Sequence, residues 1–81
     1  AVAGHEGPLT DREQRLVKLA IAIGAMREGA VRSSVRKGLA MGITTAEIEQ
    51  VIALAAGTMG MPSTVAAFTW CRSAIDRATE G

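Results

Sequence analysis

The feature that most constrains the fold of this chain is a helix-start motif that occurs twice, as Thr10 with Glu13 and as Thr44 with Glu47. In a Thr-x-x-Glu capping box the hydroxyl accepts a hydrogen bond from an amide of the first turn. The carboxylate in turn accepts one from the amide of the capping residue. The two motifs therefore predict that one helix begins just after Thr10 and another at Thr44.

Glycine and proline mark where helices end. Gly42 can adopt the left-handed conformation of a helix end, Gly60 ends the following helix, and Pro62 suits the first turn of another. No alternating apolar run of strand length remains between these signals. We expect an all-α, single small domain of four helices, over residues 11–25, 28–41, 44–59 and 62–78. Residues 1–8 are expected to form a flexible tail before a domain that spans residues 9–81.

The composition excludes several classes of protein. A formal charge of +1 argues against a nucleic-acid partner, and no apolar run is long enough to span a membrane. Cys71 is the only cysteine, so the chain cannot form an intrachain disulfide or a cysteine-based zinc site. The only histidine, His5, lies in the tail, where we expect it to be solvated. We expect a cytoplasmic protein without a metal or cofactor.

The apolar residues predict both a core and a partner. The second half of the first helix, LVKLAIAIGA, is apolar on nearly every side except at Lys18. A helix of that kind is buried all round, and an 81-residue chain cannot surround it, so we expect a homo-oligomer. The core residues expected from helical spacing are Val31, Val35 and Leu39, then Ile48, Val51, Ile52, Leu54, Ala55 and Met59, and finally Val65, Ala66, Phe68, Trp70, Cys71, Ala74 and Ile75.

The residues that could bind a ligand or take part in catalysis lie on or next to the second helix. At 100° per residue, Arg27 and Ser34 lie on one flank of its apolar stripe, and Arg32 and Arg36 lie on the opposite flank. Glu28 has an ordinary structural explanation, since it begins a helix and stands four residues before Arg32, the spacing of a helical ion pair.

Several short motifs at fixed intervals resemble the carboxymuconolactone decarboxylase family, whose redox branch includes the alkylhydroperoxidase D-like proteins. They are an LT/DRE-type opening to an apolar helix, Arg27-Glu28, Val35-Arg36, the turn at Gly42–Thr44, Glu47-Ile48 and the Gly-Met-Pro turn at Gly60–Pro62. The resemblance covers about residues 9–74. It implies an alkylhydroperoxidase D-like helical bundle completed by oligomerisation, as a trimer or a hexamer.

The peroxidase-type members of that family use a CxxC pair, a histidine four residues later and a glutamate of a proton relay. The matching positions here hold Arg27 and Ala30, Ser34 and Arg15. Peroxide reduction by that route needs a thiolate and a second, resolving thiol. A peroxidase or disulfide reductase is therefore the least favoured interpretation.

The decarboxylase branch lacks the cysteine pair and carries Arg-Glu and Val-Arg where this chain has Arg27-Glu28 and Val35-Arg36. The resemblance implies cofactor-free loss of carbon dioxide from a small carboxylated lactone in the breakdown of aromatic acids. Arg27 would bind the substrate carboxylate, Glu28 would handle protons, and Ser34, at the position of the family histidine, would supply a hydrogen bond. The alternative is a non-catalytic member that keeps the scaffold for ligand binding or assembly, which the missing histidine favours.

Overall fold

The four helices of the computed structural model begin and end within one residue of the predicted positions. The structure describes residue 4 and residues 6–80. His5 and most of the first half of the predicted tail lie outside the described residues. The helices are α1, Asp11–Gly24, α2, Glu28–Ala40, α3, Thr45–Met59, and α4, Met61–Thr79.

Both predicted capping boxes are present. The amide of Glu13 donates to the Thr10 hydroxyl at 3.1 Å, and the amide of Thr10 donates to the Glu13 carboxylate at 2.8 Å. The corresponding distances at Thr44 and Glu47 are 3.1 and 2.9 Å. Each box therefore satisfies two amides that the start of a helix would otherwise leave without a partner.

The end of α2 depends on Gly42, as the sequence predicts. Its φ is 92°, in the left-handed region. The amide of Gly42 donates to the carbonyl of Leu39 at 3.1 Å, and the amide of Ile43 donates to the carbonyl of Gly38 at 2.9 Å. This pair of bonds is a Schellman motif, which closes the helix and directs Ile43 into the core.

The helices pack in a ring in which α1 contacts α2 and α3, and α4 contacts the same two helices from the other side. No helix within the described residues is long and apolar enough to cross a membrane. The side chains enclosed by the ring come from all four helices and from the turn after α2: Leu19, Ala22, Ile23, Val31, Val35, Ile43, Ile48, Ile52, Ala67, Cys71, Ala74 and Ile75.

The prediction of burial in the core is wrong for three residues. Leu54 is 70% exposed, Val65 55% and Phe68 44%. On α4 the inward face passes through Thr64, Ala67, Cys71, Ala74 and Ile75, and at 100° per residue Val65 and Phe68 lie to one side of it. The sequence shows that these positions are apolar, but it does not show which apolar positions the other helices of the same chain cover.

Candidate functional site

The turn between α1 and α2 positions Arg27. Met26 has a φ of 53°, the only left-handed non-glycine residue in the described part of the chain. Its amide donates to the carbonyl of Ile23 at 3.0 Å, and the amide of Arg27 donates to the carbonyl of Ala22 at 3.2 Å. This is a second Schellman motif, with methionine where glycine is usual. The backbone reverses within these residues, so that Arg27 is the N-terminal cap residue of α2.

Arg27 and Ser34 line one depression, which we call the α1/α2 depression. It has a volume of about 330 Å³. This is within the usual range of small-molecule sites, which begins at about 300 Å³. Arg27 is exposed, whereas Ser34 is one of two buried polar side chains in the described core, with 8% of its surface accessible. The complete lining is Lys18, Ile21, Ala22, Ala25, Arg27, Ala30 and Ser34.

Lys18 is the lining residue that the sequence-based site did not include. It lies on α1 and faces the same depression as Arg27. Neither cation forms a hydrogen bond or ion pair with any described residue. A signal was present in the sequence, because Lys18 is the one charged residue in the apolar half of α1. The sequence could not indicate which helix that lysine faces.

Glu28 does not line the α1/α2 depression. Its carboxylate accepts a hydrogen bond from Nε of Arg32 at 2.9 Å, and Nη1 of Arg32 donates to the hydroxyl of Ser73 on α4 at 3.0 Å. The ordinary explanation for Glu28, a helical ion pair with Arg32, is therefore confirmed. The structure brings Arg27 and Ser34 together, and it places the carboxylate of Glu28 on the side of α2 that packs against α4.

Neither Arg15, at the position of the relay glutamate in the peroxidase-type proteins, nor Cys71, the only cysteine, lines the depression. Arg15 packs against the end of α2, where its Cγ lies 3.7 Å from the place a side chain on Gly38 would occupy. Cys71 lies in the core on α4, where burial raises the pKa of its thiol to about 11. A thiol with that pKa is almost fully protonated at neutral pH and is a poor nucleophile.

A larger depression runs between α1 and α3, and we call it the α1/α3 groove. Its volume is about 560 Å³, and no lysine or arginine is among its lining residues. Exposed apolar side chains, including Val17 and Leu54, form its walls. The complete lining is Leu16, Val17, Ala20, Gly24, Glu47, Gln50, Val51, Leu54, Ala55, Thr58 and Met59.

The α1/α2 depression has the chemistry of an anion site. Two cations without a partner among the described residues, one hydroxyl and apolar walls suit a small molecule that has a carboxylate and an apolar ring or chain. Within the described residues, no imidazole or carboxylate lines this depression. Nor do three His, Cys, Asp or Glu side chains of the described chain lie close enough together to hold a metal ion.

Comparisons with known proteins agree with the resemblance seen in the motifs. The family model described as "Carboxymuconolactone decarboxylase family" matches residues 1–73 of this chain. Neither the comparison with curated proteins nor the comparison with solved structures gave a match. The family match covers most of the chain and includes every residue of the α1/α2 depression. The chain therefore belongs to the carboxymuconolactone decarboxylase family.

Proposed function

We propose that this protein binds a small carboxylated, lactone-like molecule in the α1/α2 depression, with Arg27 as the main carboxylate-binding residue. One observation carries the proposal: Lys18 and Arg27, both without partners among the described residues, line the same apolar-walled depression as Ser34. The guanidinium of Arg27 can form two parallel hydrogen bonds with a carboxylate. Lys18 can bind a second carboxylate or a lactone carbonyl as a point charge.

Decarboxylation is the reaction we propose for this site. When the carbon–carboxylate bond breaks, its electron pair stays on the substrate carbon as carbon dioxide leaves, and that carbon must then receive a proton. Arg27 would hold a carboxylate that the product retains, because a cation on the departing carboxylate would stabilise the ground state. Lys18 would stabilise the negative charge that develops on the rest of the molecule and so lower the barrier to bond breaking. Ser34 would donate a hydrogen bond to the substrate. Glu28 would deliver that proton only after its carboxylate has left Arg32 and taken up a proton from water, because their ion pair holds the carboxylate on the other side of α2.

A non-catalytic ligand-binding role is the second candidate. The observation that favours it is the lack of an imidazole or carboxylate in the described lining of the α1/α2 depression. Proton transfer is efficient when the donor has a pKa near the working pH, and serine is not such a group. Binding of a carboxylate by Arg27 is common to both candidates. Turnover of the bound molecule separates them.

Thiol-based peroxide reduction is the least favoured candidate. It needs an accessible thiolate, and Cys71 is buried in the core with a raised pKa. Arg27 and Ala30 occupy the two positions that hold cysteines in the peroxidase-type members. The arrangement therefore offers neither the attacking thiolate nor the resolving thiol at those positions.

We also propose that the protein forms a homo-oligomer, with a second copy seated against the α1/α3 groove. Val17 is 43% exposed on α1 and Leu54 is 70% exposed on α3, and both side chains line the groove. Large exposed apolar patches on small proteins commonly mark contacts between proteins. A trimer or a hexamer is the assembly that the family resemblance implies.

Calorimetry with a lactone acid tests the binding proposal. Arg27→Ala should weaken binding by about 1.5–3 kcal/mol, the cost of losing hydrogen bonds to a charged group. Lys37→Ala is the matched control, because Lys37 is an exposed cation on the same helix and does not line the depression. Equal losses in the two variants would mean that diffuse charge attracts the ligand. No loss in either would place the ligand elsewhere.

A further inference from the structure

A second group of cations surrounds a separate depression on the other side of α2. Arg32 and Arg36 of α2 and Arg77 of α4 line it, together with the small side chains of Ala74 and Ala78. We call it the α2/α4 depression, and its volume is about 270 Å³. It shares no lining residue with the α1/α2 depression. The ligand site proposed for Arg27 therefore does not explain it.

The three arginines are not equally compensated. Arg32 is held by the carboxylate of Glu28 and by the hydroxyl of Ser73. Arg36 and Arg77 form no hydrogen bond or ion pair with any described residue. No carboxylate is among the residues that line the depression. Two guanidinium groups without an ion-pair partner among the described residues therefore line the same small space, and no carboxylate of those residues lines it.

The spacing of these arginines carries an electrostatic cost that a bound anion would relieve. Arg32 and Arg36 are four residues apart, so they are neighbours on one face of α2, where like charges repel. Arg77 adds a third positive charge from the last turn of α4. The bonds from Arg32 to Glu28 and Ser73 fix its guanidinium between the two helices. The Arg32 guanidinium would then form one rigid side of the depression, and Arg36 and Arg77 would bind the anion.

We propose that the α2/α4 depression is a binding site for a small oxyanion with two or more negative charges, of the phosphate class. Planar guanidinium donors match the oxygens of phosphate in pairs. The volume suits an ion of this size, since sites for larger organic ligands are mostly bigger than about 300 Å³. The small side chains of Ala74 and Ala78 leave the space between the arginines open. This site is independent of the carboxylate site proposed at Arg27.

Titration of the full chain with inorganic phosphate, followed in two-dimensional amide NMR spectra, tests the proposal. Sodium chloride should be adjusted to keep the ionic strength constant, because screening alone alters exposed charges. We expect saturable shifts confined to the middle of α2 and the end of α4. Arg36→Gln and Arg77→Gln should each weaken phosphate binding by about fivefold, the upper range for an exposed ion pair. A separate titration with a phosphoester should give the same shifts if the site recognises a phosphate group that belongs to a larger molecule.

Two controls distinguish a specific phosphate site from general electrostatic attraction of the anion to the protein. Lys37→Gln removes an exposed cation one residue from Arg36 that does not line the depression, and it should leave binding unchanged. Arg27→Ala should also leave phosphate binding unchanged while it weakens lactone-acid binding. Losses of the same size in Lys37→Gln, or shifts that do not saturate at constant ionic strength, would overturn the proposal. Circular dichroism of each variant verifies that the helices are retained.

Discussion

The guanidinium of Arg12, in the first turn of α1, donates a hydrogen bond to the carboxylate of Glu47, which caps α3. The same guanidinium reaches the carbonyl of Gly42 at 3.4 Å. One carboxylate therefore takes part in the cap of α3 and in the contact between α1 and α3. The capping box joins residues that are three positions apart, whereas the contact with Arg12 joins residues that are 35 positions apart.

Acid should destabilise the protein through its two capping carboxylates. The hydrogen bond from the Thr44 amide, followed by that from Arg12, lowers the pKa of Glu47 below its ordinary value of 4.5. Bonds from Thr10 lower the pKa of Glu13 in the same way. Because both values are lower in the folded state, their stabilisation is complete above the unfolded pKa and is lost as the pH falls through the folded pKa.

Urea unfolding at a series of acidic pH values measures this effect. The midpoint should fall as the pH drops below about 4.5. Glu47→Gln should lower the midpoint at neutral pH and flatten the acid dependence, with the remainder due to Glu13. An unchanged slope in that variant would show that other carboxylates cause the acid sensitivity.

Two glycine substitutions should have opposite effects on stability. A side chain on Gly42 would meet no atom within 4 Å, so Gly42→Ala tests only the backbone conformation, whose φ is 92°. We expect a loss of about 1 kcal/mol. Gly57 lies inside α3 with equal free space, and Gly57→Ala should stabilise the protein by about 0.5–1 kcal/mol. Thermal unfolding of both variants measures these two changes in stability. Higher stability in Gly42→Ala would contradict the left-handed conformation assigned to the turn.

Glu28→Gln should leave binding of a lactone acid unchanged. The carboxylate lies beside Arg32 and not in the α1/α2 depression, so its loss should cost only the helical ion pair, about 0.2–0.5 kcal/mol of unfolding free energy. Calorimetry and urea unfolding measure the two quantities. Asp76→Asn, which removes the equivalent pair with Arg72, is the matched control. Weaker binding in Glu28→Gln alone would place this carboxylate next to the ligand, and loss of turnover with intact binding would support its proton-handling role.

Leu54→Glu should reduce the size of the assembly. Leu54 is exposed in the single chain and lines the α1/α3 groove, so a charge there should be tolerated by the fold but not by a second copy packed against the groove. Light scattering measures the mass. Ala53→Glu places the same charge at the preceding exposed position of α3, outside the groove, and should leave the mass unchanged. A wild-type protein that is monomeric at micromolar concentration would refute the proposed assembly.

Local interactions explain why the sequence predicted the helices so closely. A capping box, a left-handed glycine and a proline in a first turn act within four or five residues, so Thr10, Thr44, Gly42 and Pro62 indicate helix ends whatever the rest of the chain does. The flank shared by Arg27 and Ser34 also follows from helical geometry alone. The motifs that indicate the family belong to this same local level.

Only the tertiary structure decided which helix faces each flank of α2. It placed Lys18 of α1 in the same depression as Arg27, and it joined Arg32, which is paired with Glu28, to Ser73 of α4. It also left Leu54, Val65 and Phe68 outside the core. These outcomes depend on the order of the helices around the ring, because contacts between distant residues arise from the packing of whole helices. Periodicity assigns a residue to a face of its own helix, and the packing of the ring determines what that face meets.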